Sequence, residues 1–394
     1  MLKMVDGTGI IGVDMVCPLG ISTPQPPNYD KVEMEGVGSL MLPNSLKAPL
    51  ERVELLGNST QGENPAPDNP QEIKSAGRFD EASGKYLFDV KVTGKNLFDR
   101  EKARDITNWI VRDGNGYAKF PIRVGKGNKV TFYYSEKLTT GKGFYVGITQ
   151  SETSAIVSWL YHSAETNLNN KKYTAVAAGD YIYLSCTISG IQKFVDTIQT
   201  LQVEIGSEQT EYEPYTEQTV QIALDEPLRG IGEYKDVLTK DGVVRKIHEQ
   251  TLKKEQISMN EYNWDTKYFR LYVNPDKKID SSISINKLFS NMFKKFAIYE
   301  SNPIVYWIIS EEEIRSIGIT EADSLQVAYE KIKDFVTTND IVIQYPIVES
   351  TLEPLPESVQ AQLQALHTEN GTTHVFVDSG EVPCGIKLTY RKEI

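Results

Sequence analysis

The side chains that most often perform catalysis or bind metals are sparse in this sequence and lie in no catalytic spacing. Its four histidines are His162, His248, His367 and His374, and only the last two lie close together, on either side of the turn sequence TENGTT. A metal site or a nucleophile–base pair at that turn is a weaker hypothesis than two solvated turn residues. We therefore predict neither catalytic residues nor metal ligands.

Two further patterns that resemble chemical motifs have simpler structural explanations. The sequences GKGN (125–128) and GKG (141–143) lie between predicted strands, where glycine forms turns rather than a phosphate-binding loop. The carboxylates of SEEEIRS (310–316) stand at a predicted helix start, where they complement the helix dipole. A glycosidase carboxylate pair can lie anywhere in a chain and stays open. We expect no cofactor and no enzymatic activity.

Aromatic residues between positions 96 and 215 are better candidates for a binding role. Rings exposed on a β-sheet offer flat apolar faces on which sugars can stack, although many such rings belong to a hydrophobic core. In the alternating run 157–161, Trp159 shares a face with Val157 and Tyr161, so it should point inwards if they do. The aromatic residues of the segment include Trp109, Tyr133, Tyr145, Trp159 and Tyr161.

The predicted ligand contacts are Trp109, Asn115 and Tyr117. Trp109 stands at an apparent loop start, and the polar turn that follows contains Gly114 and Gly116, which allow a backbone to approach a ligand closely. An aromatic ring beside such a turn can stack on a sugar. The alternative is that Trp109 closes one end of a β-sandwich.

Composition and charge exclude several classes of function. The 394 residues carry a net charge of −12, which argues against a surface that binds nucleic acid. Cys17, Cys186 and Cys384 lie far apart, so we expect buried thiols from a reducing cytoplasm rather than disulfides or a zinc site. The longest apolar run, 304–309, is too short to span a membrane. Asp6 and Asp14 interrupt any signal-peptide core, so no export signal is expected.

The pattern along the chain predicts a mainly β, multidomain protein with four parts. Pro24, Pro26 and Pro27 exclude a helix near the N-terminus, and turn residues separate many short alternating segments further along. The predicted parts are an extended N-terminal attachment arm (1–34), a small β domain with a Pro-rich loop (35–95), a β-sandwich or jelly roll (96–215) and an α+β domain (216–394).

Local signals place individual elements within the last two parts. Ser310 and Glu313 form a capping-box signature, and apolar residues from Leu325 to Val336 follow one helical face. A shorter helix is predicted at 359–366, and strands at 341–345, 374–377 and 386–390. The strands predicted for the sandwich are 119–124, 129–134, 143–149, 155–161, 181–188 and 198–204.

Several segments together resemble a module of tail-associated proteins from phages and prophages of Gram-positive bacteria. They are SLMLPNSLKAPLERVELLGNSTQGENPAPDNPQEIKSAG, VKVTGKNLFD, LQVEIGSEQTEYEPYTEQTVQIALDEPLRGIGEYKDVL and the C-terminal TTHVFVDSGEVPCGIKLTYRKEI. In this family NLFD opens a jelly roll similar to carbohydrate-binding modules and EIGSEQTEYEPY closes it, which agrees with a domain at 96–215. Residues 1–34 and 245–300 resemble the family least.

The resemblance implies a non-enzymatic structural protein of the distal tail: a fibre, a baseplate appendage or a receptor-binding protein. It implies a homotrimer, attachment to other tail proteins through the N-terminal arm, contact with a host-surface glycan and no membrane insertion. Assembly in the host cytoplasm and release by lysis agree with free thiols. A tail-associated hydrolase of surface polysaccharide and a purely architectural component of a phage tail or tail-like bacteriocin are the alternatives.

Overall fold

The computed structural model describes residues 29–111, 116–135, 144–162, 171–263, 268–280, 288–293, 296–298 and 305–393. Antiparallel strands dominate this part of the chain. Its buried apolar side chains form three separate hydrophobic clusters, one for each structural unit. The protein is therefore mainly β and multidomain, as predicted.

The central unit is assembled from distant parts of the chain. Its large sheet contains twelve strands: β1 (Tyr29–Val37), β2 (Ser39–Ser45), β3 (Arg52–Leu56), β6 (Arg78–Asp80), β7 (Lys85–Thr93), β16 (Glu217–Leu224), β19 (Val237–Leu238), β20 (Gly242–Thr251), β23 (Phe289–Ser290), β26 (Val342–Pro354), β27 (Gly371–Asp378) and β28 (Gly385–Glu393). Their hydrogen-bonded order is β16-β7-β27-β2-β28-β3-β19-β20-β26-β23. In addition, β1 pairs with β28 and β6 pairs with β7. Two small two-stranded sheets and one helix complete it: β4 (Ser59–Thr60) with β5 (Lys74–Ser75), β17 (Gly230–Ile231) with β18 (Tyr234–Lys235), and α5 (Glu357–Ala365).

Period-two alternation builds the core of the central unit. Phe88, Val90 and Val92 of β7 are fully buried, and they join Val243 of β20, near the other end of the strand order, in one hydrophobic cluster. The sheet therefore curves around a single core. The Pro-rich stretch between β4 and β5 forms a loop, as predicted, with one isolated bridge between Ala66 and Asn69.

The predicted division of the flanking segments differs from this arrangement. Residues 35–95 and 216–394 were expected to form separate domains, but β7 pairs with both β16 and β27 in one sheet. Residues 29–34, assigned to the arm, belong to β1 and pair with β28. Strand pairing over such sequence distances leaves no local pattern, which is why the sequence suggested two domains where there is one unit.

The sandwich, residues 96–215, is inserted between β7 and β16. One sheet has the order β12-β11-β14-β9-β8 and the other the order β13-β10-β15, and the buried faces of both belong to one cluster. A strand overlaps each of the six predicted ranges, but β11, β12 and β15 begin three or four residues later than predicted, and β8 and β13 were not predicted. The elements are α1 (Arg100–Arg104), β8 (Ile110–Val111), β9 (Tyr117–Arg123), β10 (Lys129–Tyr133), β11 (Val146–Thr149), β12 (Ser158–Tyr161), β13 (Lys172–Val176), β14 (Tyr181–Thr187), α2 (Ile191–Thr197) and β15 (Gln202–Ile205).

Asn96 ties the start of the sandwich to its end. Its side-chain amide donates to the carbonyl of Glu213 at 2.9 Å. Its side-chain oxygen accepts from the backbone N–H groups of Phe98 and Val203, at 3.0 and 3.2 Å. A buried asparagine with these partners closes the inserted chain at its own boundary.

The α+β insert, residues 252–341 apart from β23, lies between β20 and β26 and has its own core. Its main sheet has the order β21-β22-β25-β24. The predicted capping box is confirmed: Ser310 accepts from the N–H of Glu313, whose carboxylate accepts from the N–H of Ser310. The elements are β21 (Ile257–Asn263), β22 (Tyr268–Val273), β24 (Phe296–Ile298), β25 (Val305–Ser310), α3 (Glu311–Ser316) and α4 (Leu325–Thr338).

A packed junction orients the sandwich on the central unit. The Arg123 guanidinium of β9 donates to the carbonyl of Val377 at 3.0 Å and lies 5.4 Å from the ring centre of Phe376. Phe376 belongs to β27 but packs in the sandwich core. Lys102 of α1 also pairs with Glu217 of β16 at 3.2 Å. These contacts set the direction in which the sandwich faces.

Candidate functional site

Four rings cluster on the outer face of the five-stranded sheet of the sandwich. We call Tyr117, Tyr145, Trp159 and His162 the aromatic cluster. Tyr117 and Trp159 are 40% and 38% exposed, and the other two rings are half-buried. Exposed tryptophan and tyrosine rings are unusual on a sheet face, because their apolar surface is normally buried.

The rings of the cluster hold one another in place. The centroid of Tyr145 lies 6.4 Å from that of Tyr117 and 6.1 Å from that of Trp159, with the ring planes steeply inclined. His162 lies 4.9 Å from both Tyr145 and Trp159, again edge to face. Such edge-to-face pairs are favoured by the ring quadrupoles. The cluster is therefore prearranged by its own packing.

An irregularity in strand pairing turns Trp159 outwards. Val146 pairs with Tyr161 and Gly147 with Trp159, so Leu160 is an extra residue in β12. Leu160 and Tyr161 are both buried, whereas Val157 is 50% exposed. Val157, Trp159 and Tyr161 were expected to share one face. Val157 and Trp159 instead face outwards, and only Tyr161 faces inwards.

The predicted contacts Trp109, Asn115 and Tyr117 have different positions. Trp109 is only 4% exposed, its indole N–H donates to the carbonyl of Ala103 at 2.9 Å, and its ring packs 5.4 Å from Phe120. Trp109 closes the sandwich core, as the alternative interpretation held. The prediction that Trp109 is an exposed ligand contact is therefore wrong. Tyr117 is exposed within the aromatic cluster. Asn115 lies outside the described residues.

The centre of the same sheet face carries small and polar side chains. Gly147 and Ser185 are paired neighbours on β11 and β14, and Lys119 pairs with Ser185 from β9. The Lys119 ammonium donates to the carbonyls of Ser151 and Ser154, at 3.2 and 2.7 Å. Gly147 and Ser185 are both buried, and Ile156 packs on Gly147, so the loop at 151–156 covers the centre of this face and the rings stand beside it.

The remaining histidines form no catalytic constellation in the described part of the chain. His374, expected to be a solvated turn residue, is 1% exposed on β27, and burial lowers its pKa to about 4. His367 lies 3.1 Å from the side-chain amide of Gln218. Burial also lowers the pKa of His248. Among the described residues, no three His, Cys, Asp or Glu side chains come together as metal ligands would.

Burial also governs the two described cysteines. Cys186 of β14 and Cys384 are fully buried free thiols, and burial raises their pKa values to about 12 and about 11. They are therefore poor nucleophiles near neutral pH. Cys17 lies outside the described residues. No helix in the described ranges is both long and apolar enough to cross a membrane.

In comparisons with known proteins, no family model, curated protein or solved structure matches the chain.

Proposed function

We propose that the protein is a non-enzymatic structural component of a distal phage tail, in which the sandwich contacts a host-surface glycan. The tail assignment is supported by the resemblance of the segments described above, which run from Ser39 to the C-terminal strand. The glycan assignment is supported by one structural observation, the mutually packed rings of Tyr117, Tyr145 and Trp159, of which Tyr117 and Trp159 are exposed. Ring faces of this kind bind sugars by stacking.

The proposal extends to assembly and location. We propose that the chain forms a homotrimer and attaches to other tail proteins through the residues that precede β1. The particle would assemble in the bacterial cytoplasm and expose the protein after lysis. Buried free thiols at Cys186 and Cys384 are compatible with synthesis in a reducing compartment.

The test removes the exposed ring of Trp159. Trp159→Ala should lower adsorption of full-length protein to host cells at least about tenfold, ~1.4 kcal/mol, because the exposed stacking ring is removed. Its melting temperature should change by only a few degrees, since much of the ring already faces solvent. A glycan array with the wild-type protein and the Trp159→Ala variant would then identify the sugar.

Val111→Ala is the matched control, because Val111 is also exposed on the sandwich, at 45%, but lies outside the cluster. Its adsorption should equal that of the wild type. Unchanged adsorption by a folded Trp159→Ala variant would contradict the glycan proposal and favour a purely architectural role. Release of reducing sugar ends from host polysaccharide would instead support a tail-associated hydrolase.

A further inference from the structure

A large cavity lies in the central unit, on a different part of the molecule from the aromatic cluster. It measures about 980 Å³, at the upper end of the range for small-molecule sites. The hairpin of β6 and β7 forms one wall, and the chain around Glu249 of β20 and Val342 of β26 forms another. Residues 380–382, after β27, close a third side.

The hairpin presents a pair of aromatic rings to this cavity. Phe79 and Tyr86 are directly paired across β6 and β7, with ring centroids 5.2 Å apart. Phe79 is 54% exposed, although phenylalanine has no polar group that gains from contact with water. A flat apolar face is therefore available at the cavity.

Close backbone approach shapes the wall beside these rings. Gly77 donates its N–H to the carbonyl of Ser379 at 2.7 Å, and Gly380 has a φ of +77°. A Cβ on Gly77 would lie 3.0 Å from the Cβ of Tyr86, and one on Gly380 would lie 3.1 Å from the Cα of Arg78. Both positions require glycine, so the cavity wall here is backbone rather than side chain.

Buried polar groups with spare capacity lie directly behind the cavity. Glu249, which lines it, accepts from the side-chain amide of Gln344 at 2.6 Å and lies 3.4 Å from the Arg229 guanidinium. Gln344 is fully buried and also donates to Ser75, another lining residue, at 3.1 Å. The side-chain oxygen of Gln344 and the Nε of Arg229 have no hydrogen-bond partner among the described residues. Neither Gln344 nor Arg229 lines the cavity, so a ligand there would meet the Glu249 and Ser75 side chains that these residues hold in place.

The charges of the cavity argue against an anionic ligand. Its two basic side chains are already paired with carboxylates, Lys74 with Glu381 and Arg78 with Asp89 at 2.7 Å. Glu72, Glu249 and Glu381 outnumber the two basic residues in the lining. A phosphate or carboxylate would meet net negative charge, whereas a neutral hydroxyl could donate to these oxygens.

We propose that this cavity is a second binding site, for a neutral, hydroxyl-rich ring such as a sugar unit. The apolar face of the ring would stack on Phe79, and its hydroxyl groups would bond to Glu249 and Ser75. The site is separate from the aromatic cluster and does not depend on the function proposed for the sandwich.

Ligand-observed NMR of full-length protein with N-acetylglucosamine, glucose, galactose and rhamnose tests this site. At least one of these sugars should bind, and inorganic phosphate should not. Phe79→Ala should weaken the binding at least about tenfold, while its thermal melt confirms a folded protein. Glu249→Gln, which keeps the side-chain shape, should also weaken it.

Val111→Ala is the control, because Val111 is exposed at 45% and lies in neither site. It should leave the NMR response unchanged. Binding that survives both Phe79→Ala and Glu249→Gln, binding of none of the four sugars, or binding of phosphate would each overturn the proposal. None of these outcomes would bear on adsorption through the aromatic cluster.

Discussion

Trp109 and Trp159 show how local backbone geometry assigns different roles to the same residue type. Trp109 ends a short 3₁₀ turn and bonds to Ala103 within the core, and Trp159 stands next to the extra residue of β12 and faces solvent. One ring is therefore expected to contribute stability and the other affinity. The two roles can be separated by measurement.

Trp109→Ala should destabilise the sandwich by about 3–5 kcal/mol, because it leaves a cavity among Phe120 and its neighbours and removes a buried hydrogen bond. Urea unfolding followed by tyrosine and tryptophan fluorescence measures this change. Trp159→Ala, studied in parallel, should cost less, about 1–2 kcal/mol, because it removes only the ring pairs with Tyr145 and His162 and leaves no cavity in the core. Equal losses for both variants would contradict the assignment of Trp109 to the core.

His374 should make the protein less stable in mild acid. Its ring is buried at the junction beneath the sandwich, beside Phe376, and burial lowers its pKa from 6.5 to about 4. Between these two values the unfolded chain binds a proton that the folded chain does not. The stability associated with the neutral ring is thus complete above pH 6.5 and is lost as the pH falls towards 4.

Denaturant unfolding at several pH values measures the effect of His374, which should amount to about 3 kcal/mol at most. His374→Gln is the control, because glutamine stays neutral over this range. Its stability should fall less between pH 6.5 and pH 4 than that of the wild type. Parallel curves for the two proteins would show that this histidine is not the group responsible.

At the scale of single elements, β1 is an integral strand of the central unit. All nine of its residues pair with β28, from Tyr29 with Glu393 to Val37 with Gly385. Its side chains also contribute: Val32 and Met34 pack against the central core, and Lys31 pairs with Glu51 at 2.7 Å. Residues 29–34 therefore belong to the folded unit, although the predicted boundary assigned them to the arm.

Two truncations test this boundary. Removal of residues 1–28 should leave the melting temperature nearly unchanged, because every β1 pair is kept. Removal of residues 1–34 should lower it by several degrees, because the Val32 and Met34 contacts and most of the β1–β28 hydrogen bonds disappear. Differential scanning calorimetry of both proteins gives the comparison. If both deletions have the same effect, the pairing of β1 adds little to stability.

At the scale of the whole molecule, open strand edges favour self-association. Among the described residues, β1 pairs only with β28, and β16 pairs only with β7 at the end of the large sheet. Charged residues on β1, Asp30, Lys31, Glu33 and Glu35, protect that edge from uncontrolled pairing. The β16 edge has fewer charges, so a symmetric contact that covers it would be useful.

We expect a homotrimer in solution. Multi-angle light scattering of full-length protein should give about three times the monomer mass of 44.3 kDa. Dilution through the micromolar range should leave this mass unchanged. A monodisperse monomer at micromolar concentration would contradict the expectation.

Local elements could be predicted from the sequence because their signals are local. The strands of the sandwich follow from period-two alternation and turn residues, and α4 follows from its apolar face, on which Ala328, Ile332 and Val336 are buried. At the start of the sandwich, the side-chain oxygen of Asn96 accepts from the N–H of Phe98, a local turn contact, whereas its bonds to Val203 and Glu213 depend on the fold. The capping box of Ser310 and Glu313 is a further case of this kind.

Only the tertiary structure decided which segments share a core and which rings reach the surface. The pairing of β7 with β16 and β27 joins positions more than a hundred residues apart, and such pairing depends on the global fold rather than on local propensity. The extra residue at Leu160 reversed the orientation that alternation predicted for Trp159. The residue types of the candidate site were thus set by the sequence, and their exposure by strand pairing, because a shift of one residue moves a side chain to the opposite face of a sheet.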